Sequence, residues 1–143
     1  MSPEALFRVV SAAIVPGWLL LILAPRARIT DGLVWSGLYS LFFAALYLVL
    51  IVVFFPGAPG GFGSLAEVET LFRNPYLLLA GWIHYLAFDL FVGGWEVRDA
   101  RRLGLPHLLV VPCLVLTFLF GPAGFLAYAA LRAALRRRFT VTE

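Results

Sequence analysis

Lysine is absent from this 143-residue sequence, cysteine and methionine occur once each, and charged side chains make up only 13% of it. Each shortage excludes something. A single cysteine, Cys113, rules out an internal disulfide and any all-cysteine metal site. The few serines lie outside any GxSxG setting, which leaves no serine nucleophile of that kind. Charge at about half the roughly 25% of soluble domains argues against an ordinary water-facing surface. The balance is basic, with 11 basic residues, all arginine, against 8 acidic ones. No basic stripe accompanies that excess, so nucleic acid is not an expected partner. The tail cluster Arg132, Arg136, Arg137 and Arg138 follows an apolar run and reads as a contact with anionic lipid headgroups.

What the sequence has instead is hydrocarbon. Apolar residues reach 62%, against about 45–50% in globular chains, and the mean hydropathy is +0.95. Several runs attain the roughly 20 residues that a membrane-spanning helix needs. The expected fold is all-α: an integral membrane four-helix bundle forming a single domain over 1–143. The spans fall at about 4–24, 33–55, 76–95 and 108–135. Pro16-Gly17 should kink the first. Pro75 starts the third at the first helical position. Gly121-Pro122 divides the fourth into two tilted halves. The start, with as much negative as positive charge, does not read as a cleaved signal peptide. Between spans two and three, Ser64 followed by Glu67 is a capping-box start. Leu65, Val68, Leu71 and Phe72 then share a face, which predicts a short helix lying in the membrane interface.

Orientation is nearly balanced. Four spans put both ends and the second connection on one side, with six arginines there and five on the other. That bias is a weak lean towards cytoplasmic termini.

The informative stretch is Gly81 to Arg102, where ionisable residues enter an apolar run. An ionised side chain at bilayer depth costs at least roughly 2.5–3.5 kcal/mol. At about 100° per residue, Trp82, Tyr85, Asp89, Gly93 and Glu96 form one stripe, and His84 lies roughly 140° from Asp89 with Phe88, Phe91 and Trp95. Glu96 and Asp99 are neighbours if the helix continues that far. His107 returns to the same membrane surface, so Glu96, Asp99 and His107 can converge, with Arg98, Arg101 and Arg102 nearby. Two histidines holding a haem do not fit, since His84 is about 18 Å deeper than Glu96 along the helix axis. A metal on Glu96, Asp99 and His107 has suitable ligand types but no HExxH-like spacing. A carboxyl in apolar surroundings that keeps its proton and donates it is the more attractive chemistry. The plain alternatives are a hydrogen bond from Asp89 to another helix and an exposed, ion-paired loop at Glu96–Asp99.

Three blocks, GWIHYLAFDLFVG from Gly81, WEVRDARRLGLPH from Trp95 and VPCLVLTFLFGPAG from Val111, resemble the abscisic-acid-deficient-four-like membrane proteins. Plant members of that family are associated with neoxanthin formation from violaxanthin. The resemblance implies an isomerisation that opens a carotenoid epoxide by acid–base catalysis and needs no redox cofactor. His84, Asp89, Glu96, Asp99 and His107 are the candidate catalytic residues on that footing. Trp82, Tyr85, Phe88 and Trp95 are the candidates to line the polyene. The bilayer and a carotenoid or other isoprenoid lipid are the expected partners. The arginine-only composition leads us to expect a multi-pass protein of a bacterial inner membrane. A pigment-binding or assembly subunit of a larger membrane complex or homo-oligomer, and a proton relay through Asp89 and His84, stay open as alternatives.

Overall fold

In the computed structural model, which describes residues 1–137, Ser2 opens the first helix. Its hydroxyl accepts from the Ala5 amide at 3.2 Å, and Pro3 follows at the first helical position. This helix, α1 (Pro3–Leu23), carries Pro16 inside it. A short turn of helix, α2 (Arg28–Thr30), runs into a π-helical segment, Asp31–Trp35. Gly37, at a φ of 80° that favours glycine, then starts α3 (Leu38–Phe54).

The short helix expected after the second run is α4 (Leu65–Phe72). Ser64 caps it by accepting from the Glu67 amide at 3.2 Å, while the Glu67 carboxylate accepts from the Gly63 amide at 3.0 Å. Asn74 accepts from the Tyr76 amide and caps the longest helix, α5 (Pro75–Arg102). The last two are α6 (His107–Phe120) and α7 (Pro122–Arg136), with Gly121 between them.

Every helix of appreciable length packs on α5, which places it at the centre of the bundle. Its Ile83, Leu90 and Val97 have no exposed surface. By contrast α3 turns Leu41, Phe42, Leu48, Val49, Val52 and Val53 outward, as an outer helix facing lipid would. Among the described residues, three stretches are long and apolar enough to cross a membrane: α1, the run from Arg28 to Phe54, and α5.

Two features differ from the sequence reading. The charged stretch after Trp95 is helix, not loop: α5 continues to Arg102. Its two carboxylates are buried and bonded there, so the helix need not end where charge begins. The fourth apolar run divides at Gly121 as expected, but its halves fold back on one another. Gly124 packs so closely that a Cβ on it would sit 2.0 Å from the Thr117 amide nitrogen. At the far end of α7, Arg136 donates to the carbonyls of Leu103 and Gly104, just before α6 begins. Helices α6 and α7 therefore form an antiparallel hairpin whose tip, Gly121, lies against Asp89 midway along α5.

Candidate functional site

The stripe predicted on α5 faces α1 and α6. Trp82 Nε1 donates to the Ser11 hydroxyl at 3.0 Å. Tyr85 donates to the Phe118 carbonyl at 3.1 Å, and its side chain also neighbours Asp89. Gly93 meets Trp18: a Cβ there would lie 2.7 Å from the indole, so the close approach allowed by this glycine is taken by a helix of the chain itself. Asp89 is half-buried beside Gly121. At the tip the backbone turns with a φ of 46°, and a Cβ on Gly121 would stand 2.9 Å from the Asp89 carboxylate.

Below this point the carboxylates are enclosed. Glu96 is fully buried and accepts from the Thr117 hydroxyl at 2.9 Å. Asp99 is 3% exposed. It accepts from the Tyr128 hydroxyl at 2.6 Å, from Arg102 at 2.8 Å and from Arg132, whose Nε lies 3.1 Å away. Arg132 is thus an interior residue of the hairpin, not part of a lipid-facing tail. The desolvation that makes a buried ion costly is offset by a partner of opposite charge with good geometry. Arg98 and Arg101 turn elsewhere, towards the carbonyls of Trp35 and Pro25. Arg136 and Arg137 are exposed near the same end, and Arg138 lies outside the described residues.

His107 Nε2 is 2.9 Å from the Ile22 carbonyl, at the edge of a pocket of about 480 Å³ shared with Arg26 and Arg101. Glu96, Asp99 and His107 reach the same end of the bundle but each is engaged by a different partner. Among the described residues, no group of three or more His, Cys, Asp or Glu is placed to hold a metal ion.

His84 stands apart from all of these, exposed on the opposite side of α5. Its ring stacks on Phe88 at 4.6 Å and meets Tyr47 of α3 edge-on at 5.6 Å. Here the structure opens a groove of about 790 Å³ between the start of α1, the end of α3, α4 and the first half of α5. Phe7, Tyr47, Ile51, Phe72, Trp82 and Tyr85 are among its walls, and His84 and Glu4 lie there with the two tyrosines. Of the residues expected to line a polyene, Trp82 and Tyr85 do lie in this groove, and Phe88 adjoins it through His84. Trp95 is distant, packed in the hairpin against Phe125 and Tyr128.

Sequence reasoning missed Tyr47, Thr117, Tyr128 and the inward role of Arg132. A signal for the last two was present: Tyr128 and Arg132 are four apart, so they share a helix face.

Residues 5–128 match the family described as ABA DEFICIENT 4-like. The chain is 24% identical over 145 residues to Protein ABA DEFICIENT 4, chloroplastic, of Arabidopsis thaliana. That alignment covers 95% of this chain and 64% of the plant protein, so the chain spans about two thirds of its relative's length at most. No solved structure matches. With most of its length matched, the chain is an integral membrane protein that belongs to the ABA DEFICIENT 4-like family.

Proposed function

We propose that the chain binds a carotenoid-like isoprenoid lipid in the groove beside α5, with the polyene along its aromatic walls and a ring end group at His84. The observation that carries this reading is the groove itself: about 790 Å³, apolar and aromatic, with an imidazole in its wall. Long apolar ligands bind in concave apolar surfaces with a few placed polar groups. Opening an epoxide there is an isomerisation. His84 takes the proton from the vinylic end carbon of the polyene, beside the epoxide, and that C–H electron pair becomes the new double bond of the allene. The neighbouring Tyr47 hydroxyl gives its proton to the epoxide oxygen as the C–O bond breaks. The proton on His84 then returns to Tyr47, and the pair ends as it began. Glu96 and Asp99 are positioning residues in this reading, since both are consumed by bonds within the hairpin.

That same engagement favours a second reading, in which the groove holds a pigment without converting it. Expression in a host that makes epoxy-carotenoids, followed by analysis of the pigments retained on the purified protein, separates the two. An allenic isomer of the host carotenoid is the expected result. Retained but unconverted pigment selects the holding role, and absence of both removes the proposal.

A further inference from the structure

The membrane topology follows from the hairpin. A hydrocarbon core of about 30 Å needs roughly 20 helical residues to cross it. At about 1.5 Å per residue, α6 and α7 are only about 21 and 22 Å long. Neither crosses by itself, and they do not add end to end, because α7 returns along α6 to bond the Leu103 and Gly104 carbonyls. The tip reaches Asp89, about 20 Å of helix from Arg102, and goes no further. Backbone at membrane depth is tolerated where protein encloses it, and Gly121 is itself buried against α5.

Folding the hairpin back moves charge. Arg136 and Arg137 join the five arginines of the first and third connections, so one end of the bundle exposes seven among the described residues, with Arg132 buried there on Asp99. The other end, where α1 begins and α4 lies, carries Arg8 and Arg73. Both of these pair with carboxylates one turn away, Glu4 and Glu69. Seven against two is a decisive asymmetry for positive-inside orientation. A fourth crossing would instead put the end of the chain with α1's start, where the count is six against five.

We propose that the chain crosses the bilayer three times, that α6 and α7 enter and leave by the face at which α5 ends, and that this arginine-rich face rests on the anionic cytoplasmic leaflet. The two ends of the described chain then lie on opposite sides. The partner is a lipid surface of negative charge, which attracts each basic residue at its plane by about 1 kcal/mol.

Single-cysteine labelling of the full chain tests this independently of what occupies the groove. In a Cys113→Ala background, cysteines are introduced as Ser2→Cys, Ala66→Cys and Gly32→Cys, and one is appended after Glu143. Gly32 has open space around it and Ala66 is exposed, so the fold accommodates both. Spheroplasts of an expressing bacterium are treated with a membrane-impermeant maleimide before and after permeabilisation. Positions 2 and 66 should label in intact spheroplasts, and position 32 and the appended cysteine only after permeabilisation. An appended cysteine that labels with position 2 would mean a fourth crossing and overturn the hairpin topology. Position 32 and the appended cysteine labelling together from outside would overturn the leaflet assignment. Labelling of all four in intact spheroplasts, as from mixed insertion, would overturn it too.

Discussion

The Tyr128 hydroxyl donates to Asp99 Oδ2 at 2.6 Å, joining the middle of α7 to the end of α5 inside a closed hairpin. Arg132, one turn further along α7, reaches the same carboxylate. These contacts hold α7 against α5. Removing one partner of a buried ion pair leaves an uncompensated charge and costs about 3–5 kcal/mol. Arg132→Ala should therefore lower unfolding stability in detergent by that amount. Tyr128→Phe, which removes one hydrogen bond, should cost about 1–3 kcal/mol. Joint replacement by Asp99→Leu and Arg132→Met should recover much of the loss. A cost below about 1 kcal/mol for Arg132→Ala would show that the pair does not hold the hairpin.

Gly124 is the tightest point of the α6–α7 crossing, with backbone and side chain of Thr117 where a Cβ would be. Backbone cannot step aside as a flexible side chain can. Gly124→Ala should cost at least the 1–3 kcal/mol of an overpacked core, although alanine is the better helix former. Gly32→Ala, with nothing within 4 Å, should stay within about 0.5 kcal/mol of the parent. Equal stability of the two variants in the same detergent titration would contradict the close crossing.

The sequence was legible where hydrophobic length and helix signals act locally. Ser64 and Pro75 start helices where such residues should, and the break at Gly121-Pro122 was readable from the pair itself. The direction of the chain after that break was not. Periodicity reports that a face is apolar but not which helix covers it, and a run of membrane length looks the same whether it crosses or doubles back. The fate of the carboxylates was hidden for a related reason. Arg102 lies within helical reach of Asp99, but Thr117 is 21 residues from Glu96 and Tyr128 is 29 from Asp99, beyond any helical spacing. Conversely, the division of His84 from Asp89 needed only the helical repeat. It placed one histidine in a groove and one carboxylate against the hairpin tip.

Thr117 connects the crossing to the buried acid. Its backbone supports Gly124, and its hydroxyl donates to Glu96 at 2.9 Å. Thr117→Ser keeps the donor and should be mild, losing about 1 kcal/mol for a buried methyl. Thr117→Val keeps the shape but leaves Glu96 Oε1 without its donor, and should cost about 1–3 kcal/mol. Thermal unfolding of the two purified variants gives the comparison. Serine proving the worse substitution would mean that packing, not the hydrogen bond, is what Thr117 supplies.

The groove separates binding from conversion. Gly81 lies on its wall, where an added Cβ would come 3.4 Å from Phe72. Gly81→Phe fills the groove without entering the core and should abolish both pigment retention and any isomer formed. His84→Gln keeps a polar side chain of similar size but cannot take and return a proton as an imidazole does. It should retain pigment while lowering conversion by 10²-fold or more, the usual scale of a lost general base. Pigment bound per mole of protein and isomer formed per hour, measured on each variant from the same carotenoid-producing host, provide the two axes. Loss of conversion in Gly81→Phe with retention unchanged would place the pigment somewhere other than this groove. Unchanged conversion in His84→Gln would remove the imidazole from the reaction.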